Sequence, residues 1–283
     1  MKFSLVLCTI NRKNKVKKFL ESLKKQNYNN FELIVVDQNS DNRLKLLLNK
    51  YSCFFNIKHI KAKKGLSKAR NVGLAQVKGD IIAFPDDDCE YPSELLFKIN
   101  ELFKKNESFD GITGRAVDFE GNTSSGNFDN KKGLINKFNS WQRAISFTIF
   151  IKKEVANVVG EFDESLGVGS GTIWQSAEET DYIIRCVEKG FKIYYNPTIK
   201  VFHPSKSNSF NKKLYLRSYK YGCGMGKVLK KHKFPHWILL YYLLRSTGGL
   251  MKSLLTLNFK KAYNYFYIIR GRIRGWRDSV NDV

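Results

Sequence analysis

The chain has 283 residues, with 49 Lys and Arg against 26 Asp and Glu, for a formal net charge of +23. Its 42% apolar content, 14% aromatic, excludes a disordered chain, and 20 Gly with 5 Pro exclude a fibrous one. Five widely spaced cysteines (Cys8, Cys53, Cys89, Cys186 and Cys223) form no C-x-x-C pair, which points away from a disulfide framework or zinc ribbon and toward a reducing compartment.

The N-terminus, MKFSLVLCTINRKNK, meets charge too early for a secretory signal. The longest apolar run, starting at Trp237, stops at Arg245. That is well short of the ~18–20 residues a spanning helix needs. A soluble or surface-bound protein is expected rather than an integral one.

Strand and helix patterns alternate through the first hundred residues. Strands are expected over 3–8, 31–36, 54–60 and 81–84, and helices over 12–25, 44–51 and 66–76. Near-continuous apolar strands separated by helices predict an α/β fold with a parallel sheet covered on both faces. Farther on, the spacing predicts a helix over 93–103, strands over 111–117 and 144–151, and a Gly/Asn/Ser/Asp-rich loop over 120–132. A helix over 177–189 stops at Gly190, and short strands follow over 192–195 and 199–202. From Asn211 the sequence turns to helices rich in Lys, Arg, Tyr and Leu.

Ligands of parallel sheets bind beyond the carboxyl ends of the strands, so the polar residues after each strand are the informative ones. Here they are Cys8-Thr9-Ile10-Asn11-Arg12, Asp37-Gln38-Asn39-Ser40-Asp41, the helix opening Gly65-Leu66-Ser67-Lys68-Ala69-Arg70-Asn71, and Asp86-Asp87-Asp88. Together they offer a carboxylate to read a base, guanidinium and amide donors for phosphate, and acids for a divalent cation. Three successive carboxylates repel one another, and Mg²⁺ or Mn²⁺ held by one or two of them plus substrate phosphates relieves that repulsion. Read alone, Asp-Asp-Asp fits an exposed acidic turn equally well.

In this order the segments resemble the family 2 glycosyltransferases of the GT-A fold, which transfer a sugar from a nucleotide diphosphate with inversion. The matching stretches are SLVLCTINR, FELIVVDQNSDN, GLSKARNVGLAQVKGDIIAFPDDDCEYP and AEETDYIIRCVEKGFKIYYNPTIKVFHP, covering about residues 1–204. The resemblance implies a GT-A sheet flanked by helices, with a catalytic domain over 1–208 split near residue 92 into nucleotide-binding and acceptor halves. A basic, aromatic helical region over 209–283 follows.

Carried onto these residues, the resemblance implies a nucleotide site of Thr9, Asn11, Arg12, Asp37, Asn39, Arg70, Asp86 and Asp87. In it Asp37 reads the base edge and Arg70 reaches the ribose or diphosphate. Asp86 and Asp88 end the D-x-D signature, with Asp88 the metal ligand, Asp86 near the ribose, and His203 completing the shell around Mn²⁺ or Mg²⁺. Ile10 stands where many members carry a base-contacting aromatic. The acidic pair Glu178-Glu179 stands where the family's base lies, and Glu179 matches its second member, usually Asp. On a helix Glu178 and Asp181 share a face while Glu179 points about 100° away, so the base stays open among the three.

The loop Gly167-Val168-Gly169-Ser170-Gly171 with Trp174 reads as an acceptor or donor-sugar loop, with Gly171 and Trp174 against the acceptor, or as a plain connection. It lacks the G-x-G-x-x-G spacing, and Gly222-Cys223-Gly224-Met225-Gly226-Lys227 fails as a phosphate loop. His232 and His236 have ligand-like spacing, but Pro235 breaks the helix that would align them. Between Pro204 and Val283, 17 Lys and Arg face two acids. This basic, aromatic tail suits an anionic partner. It is expected either to contact a membrane surface or to pack its apolar stripe on the catalytic domain.

The expectation is therefore an inverting enzyme taking a nucleotide sugar, UDP-linked, to a saccharide or lipid-linked acceptor in surface-polysaccharide assembly. It would work in the cytoplasm at the inner face of the cell membrane. The rivals are a metal-dependent nucleotidyltransferase and a nucleic-acid-binding protein. The second has no RNP, zinc-finger or helix-turn-helix signature behind it, and no nucleic acid partner is expected.

Overall fold

The computed structural model describes residues 1–205 and 210–278. Strands β1 (Phe3–Thr9), β2 (Phe31–Asp37) and β4 (Ile81–Ala83) are buried along their whole length, as their near-continuous apolar runs predict, with Ser4 and Glu32 the buried polar exceptions within them. Strand β3 (Asn56–Lys61) lies at the sheet edge, mostly exposed, where Lys58, His59 and Lys61 blunt the free backbone edge. With β5 (Gly111–Val117), β6 (Gly133–Leu134), β7 (Phe150–Lys152) and β8 (Ile193–Phe202) they form one eight-stranded sheet, order β3-β2-β1-β4-β7-β5-β8-β6. The pairs β1–β2, β2–β3, β1–β4 and β5–β8 are parallel, and β7 runs antiparallel to both its neighbours.

Helices α1 (Lys13–Lys24), α2 (Lys45–Tyr51), α3 (Leu66–Leu74) and α4 (Leu95–Lys105) connect the early strands close to the expected bounds. Helix α1 turns Val16, Phe19, Leu20 and Leu23 onto the core that Leu5, Leu7, Leu33 and Val35 contribute from the sheet. Helices α5 (Ser140–Arg143), α6 (Lys153–Val159) and α7 (Glu178–Glu188) follow; α5 and α6 had no sequence counterpart.

Two strand expectations need correcting. The strand expected over 144–151 is a 3-10 turn, Ser146–Thr148, followed by the short β7. Thr148 Oγ1 donates to the Gly114 and Ile145 carbonyls, at 3.1 and 3.0 Å, so local hydroxyl bonds take the place of a ladder. The strands expected over 192–195 and 199–202 are one strand, β8, whose register jumps from Thr113↔Tyr195 to Arg115↔Lys200. The extra residues bulge away opposite Gly114, where a Cβ would lie 2.7 Å from the Ile199 side chain.

The chain divides into two compact units: Met1–Lys64, Lys68–Phe162 and Tyr182–Lys206, and Gly65–Ser67, Asp163–Asp181 and Ser207–Val283. The first holds the entire sheet. The expected boundary at 208/209 lies outside the described residues, and residues 163–181, expected in the catalytic domain, group with the C-terminal helices.

The second unit is built on α8 (Lys212–Lys231), α9 (His236–Leu255) and α10 (Phe259–Asp278). Asn211 caps α8, its Oδ1 accepting from the Leu214 N–H at 2.9 Å. The glycines of the rejected phosphate-loop candidate have a packing role. Gly222 and Gly226 on α8 meet Gly271 and Gly275 on α10 so closely that a Cβ on Gly222 would stand 2.7 Å from the Ile268 carbonyl oxygen. Small residues four apart let two helix backbones touch. Residues 163–177 fasten to α8: Ser176 Oγ donates to the Tyr221 carbonyl at 2.9 Å, and Lys231 Nζ pairs with Asp163 at 2.7 Å.

Candidate functional site

The parallel register puts the ends of the early strands side by side. Thr9 lies opposite Asp37, and Cys8 bridges to Asp86, extending the β4 line into the acidic triplet. Within the first unit the expected residues Thr9, Arg12, Arg70, Asp86, Asp87, Asp88 and His203 are thereby linked. Asp87 is buried and structural in its bonding: Oδ2 accepts from Thr9 Oγ1 at 2.7 Å and Oδ1 from Arg12 Nη1 at 2.8 Å. Asp88 faces outward to Arg12 at 2.9 Å and Lys15 at 2.8 Å through Oδ2, while its Oδ1 lies 3.3 Å from His203 Nε2.

Asp86 sits between them, its Oδ1 accepting from Ser146 Oγ at 3.2 Å and lying 3.5 Å from the buried Arg70 guanidinium. Burial pushes its carboxyl up, Arg70 opposes, and Asp88 and Asp87 add repulsion, leaving it at about 6. Asp88 moves the other way. Burial would raise it, but the bonds from His203 and Lys15 and the charge of Arg12 hold it well below the carboxylate range.

Asp86, Asp88 and His203 present one ligand atom each within 4.8 Å of one another. His203 Nδ1 lies 2.9 Å from the Pro204 carbonyl oxygen, so Nδ1 carries the hydrogen and Nε2 faces Asp88. Phe147 stacks on the same ring at 4.9 Å and fixes its plane. A neutral Nε2 and a carboxylate oxygen are both acceptors, and at 3.3 Å they require a proton or a cation between them. Two carboxylate oxygens and one imidazole nitrogen suit Mn²⁺, and the residues present fit such an ion.

Asp37 and Asn39 form a second group. Asp37 is fully buried; Oδ1 accepts from the Asn39 backbone N–H at 2.9 Å and from Asn39 Nδ2 at 2.6 Å, and Oδ2 lies 2.9 Å from both His59 and Lys61. Asn39 Oδ1 in turn accepts from the Asn11 N–H at 2.7 Å, and Asn11 is held in the left-handed region at φ +59°. Arg43 reaches Asn11 Oδ1 at 3.0 Å.

In the second unit the acids of α7 separate by environment. Glu178 is buried beside Gly167, where a Cβ would lie 3.2 Å from the Glu178 carboxyl. Asp181 is fully buried, and its Oδ1 pairs with Lys231 at 2.8 Å and His232 at 2.9 Å. Glu179 is the partly exposed member of the three. The helix starts from Ala177 at φ +68°, a conformation costly for a residue with a Cβ and found where the surroundings enforce it. Trp174 is buried with Lys227 Nζ 4.0 Å above its ring, whereas Gly171, at φ +89°, has open space where a Cβ would stand.

Sequence reading missed Lys15, Ser146, Phe147, Lys61 and His59. Lys15 was findable, three residues after Arg12 and so on the same helical face, and His59 and Lys61 share one side of a strand by alternation. Ser146 and Phe147 lay inside the misread strand and carried no signal.

A mostly parallel sheet with an acidic cluster at its carboxyl end is the arrangement of an α/β protein of the GT-A kind. Overlays agree: the chain matches Staphylococcus aureus TarS 1–349 with a TM-score of 0.63 at 17% identity, covering 97% of this chain and 91% of that one. It matches the mannosyltransferase PcManGT from Pyrobaculum calidifontis, in complex with GDP-Man and Mn²⁺, with a TM-score of 0.66 at 13% identity over 98% and 87% of the two chains. Glycosyl transferase family 2 matches residues 4–160, and the chain belongs to that family.

Among its relatives is the GalNAc(5)-diNAcBac-PP-undecaprenol beta-1,3-glucosyltransferase of Campylobacter jejuni, 29% identical over 68% of this chain and 64% of that protein. Another is the UDP-Glc:alpha-D-GlcNAc-diphosphoundecaprenol beta-1,3-glucosyltransferase WfgD of Escherichia coli, 32% identical over 38% of this chain and 43% of that protein. The chain thus spans less than two thirds of the length of either relative.

Proposed function

We propose that the protein is an inverting glycosyltransferase that moves a sugar from a UDP-linked donor to a hydroxyl of a lipid-linked or saccharide acceptor in surface-glycan assembly. The observation that carries this is the Asp86–Asp88–His203 cluster, with its ligand atoms within 4.8 Å, at the end of a family 2 sheet. The donor follows the UDP and UDP-GlcNAc held by TarS structures and the UDP-Glc in the name of WfgD. The acceptor class, and with it a workplace at the cytoplasmic face of the membrane, follows the undecaprenol diphosphates in the names of two relatives.

Asp88, Asp86 and His203 would hold the divalent cation, which when bound supplies positive charge against the departing diphosphate. Arg12, Lys15 and Arg70 add fixed positive charge in the same cluster, where it favours the bond-breaking state. Asp37 and Asn39, rigidly bonded to each other, are assigned to the base and Thr9 and Asn11 to the walls of the nucleotide site. Glu179 is assigned as the base. The acceptor oxygen forms its bond to the anomeric carbon as the carbon–oxygen bond to the diphosphate breaks. Glu179 takes the hydroxyl proton, the electron pair leaves on the diphosphate, and configuration inverts. The exposure of Glu179, against the burial of Glu178 and the pairing of Asp181, supports that choice.

The test is transfer from UDP-sugars with Mn²⁺, paired with thermal unfolding in donor and Mn²⁺. Asp88→Ala is expected to lower turnover about 10³-fold or more and to remove the Mn²⁺-dependent rise in melting temperature. An Asp88→Ala protein that still transfers sugar at the unsubstituted rate refutes the reading.

A further inference from the structure

Helix α9 is turned inside out relative to an ordinary packed helix. Its buried residues are Ile238, Ser246 and Ser253, whereas Trp237 and Leu244 are each 61% exposed and Leu255 is 82% exposed. At 100° per residue these three positions fall on one line, with Leu240, Tyr241 and Met251 beside it, also exposed. The stripe runs the length of a 20-residue helix, about 30 Å. It continues into the turn before α10, where Leu257 and Phe259 are 74% and 64% exposed. Soluble monomers rarely leave so long an apolar strip uncovered unless something docks there.

Charge says what docks. Arg245 and Lys252 line one edge of the stripe, 60–80° around the helix from Trp237 by the same geometry. Lys260 and Lys261 follow the turn, and all four are exposed. From Lys212 to Asp278 the only acid is Asp278, engaged by Arg274 at 2.5 Å. Two copies of so basic a face repel each other, whereas an anionic sheet attracts it. Trp and Tyr on the stripe have the amphipathic rings favoured at the level of lipid headgroups. No helix among the described residues is long and apolar enough to cross a membrane, so the stripe has the character of a helix that lies in the interface.

We propose that the exposed face of α9, with the turn into α10, is a docking surface for an anionic phospholipid bilayer. Trp237, Leu244, Leu255 and Leu257 enter the headgroup–acyl boundary, and Arg245, Lys252, Lys260 and Lys261 meet lipid phosphates. The inference deepens the lipid-linked-acceptor reading and rests on it for its purpose, but the binding itself needs neither donor nor acceptor.

Co-sedimentation of the full chain with phosphatidylcholine vesicles, with and without phosphatidylglycerol, tests it. Binding is expected to the phosphatidylglycerol vesicles and to weaken steeply with salt. Each basic residue near such a surface changes partitioning roughly fivefold, so Arg245→Ala with Lys252→Ala lowers it roughly 25-fold. Leu244→Glu with Leu255→Glu abolishes it. In the unsubstituted protein, brominated lipid quenches tryptophan emission, and Trp237→Phe removes the quenched component; this readout does not depend on a charged substitution folding well.

Transfer to a water-soluble acceptor is unchanged in the α9 variants, and Asp88→Ala binds vesicles normally, so failure of docking and failure of the catalytic reading are separable. Absence of vesicle binding overturns the proposal, as does binding indifferent to phosphatidylglycerol. A dimer in solution that Leu244→Glu with Leu255→Glu converts to monomer, without vesicle binding, also overturns it and assigns the face to a second copy.

Discussion

The two units of the chain solve opposite problems. In the sheet unit apolar residues fill the interior and charge is brought to the strand ends, where nearly every carboxylate has a named partner: Asp87 with Thr9 and Arg12, Asp37 with Asn39, His59 and Lys61, and Asp88 with Arg12, Lys15 and His203. In the helical unit bare backbone fills the α8–α10 seam, while leucines, tyrosines and a tryptophan face outward. Charge gathered at buried strand ends is costly to leave unpaired, so the fold compensates each acid locally. The outward face of the helical unit is marked instead by composition and exposure.

The sharpest way to break this comparison lies in α7, whose acids have different environments. Glu179→Gln keeps size and polarity but cannot accept a proton. It is expected to lower turnover about 10²- to 10⁴-fold while leaving donor binding and the melting temperature unchanged. Asp181→Asn should do the reverse, because Asp181 is fully buried against Lys231 and His232. Losing its charge takes one of two acids from Lys231, which keeps Asp163 at 2.7 Å and about a third of its surface in water, so the cost is expected to be about 2 kcal/mol, below that of a dry pair. Denaturant unfolding beside steady-state transfer separates the two. Equal loss of turnover in both variants with unchanged stability would erase the distinction between a proton acceptor and a positioning acid.

Much of the sheet was legible in the sequence. The buried strands and the polar residues that follow them were readable because a parallel sheet forces function to the carboxyl ends and makes its strands continuously apolar. His203, far along the chain from Asp86 and Asp88, entered only through family resemblance; spacing could not bring it to them. Ser146 was lost because Ala144 to Ile151 has a strand's composition, and the hydroxyl bonds of Thr148 that break the ladder depend on Gly114, thirty-odd residues away. The grouping of residues 163–181 with the C-terminal helices was equally unreadable, since it rests on paired contacts such as Ser176 with Tyr221 and Asp163 with Lys231. The glycines of α8 looked like a failed phosphate loop because their true partners, Gly271 and Gly275, lie on another helix.

That seam gives the next largest effect. A Cβ on Gly275 would stand on the Cys223 carbonyl, so Gly275→Ala must push α8 and α10 apart even though alanine favours a helix. Overpacking of this kind costs about 1–3 kcal/mol, and the upper end is expected because the opposing atom is backbone and cannot turn aside. Gly248→Ala, on α9 with open space around its Cβ, is the matched control and should be neutral or slightly stabilising. A Gly275→Ala protein as stable as the Gly248→Ala control in urea would mean that the helices do not rely on backbone contact.

The smallest expected effect is on acid stability, and its sign follows from three carboxyls. Burial raises Asp37, Glu32 and Asp163, but in each case the bonds they accept win. Lys61, the Asn39 backbone and His59 hold Asp37 below its ordinary value; Lys2, Ser4 and the Lys78 backbone hold Glu32; Lys231 and Ser165 hold Asp163. A carboxyl whose folded value is depressed stabilises the fold fully above its unfolded value, near 4, and loses that contribution as pH falls through the lower folded value. The contribution of these three acids to urea stability should therefore be flat from neutrality to about pH 5 and fall below about pH 4, while protonation of Asp86, raised by burial to about 6, works in the opposite direction at higher pH. Two of the three acids belong to the sheet unit, so Glu32→Gln, which removes one of them, should flatten the acid limb in step with a loss of stability at neutral pH. The reverse order, with Asp163→Asn flattening it more than Glu32→Gln, would place the acid-sensitive charge in the helical unit and invert the comparison.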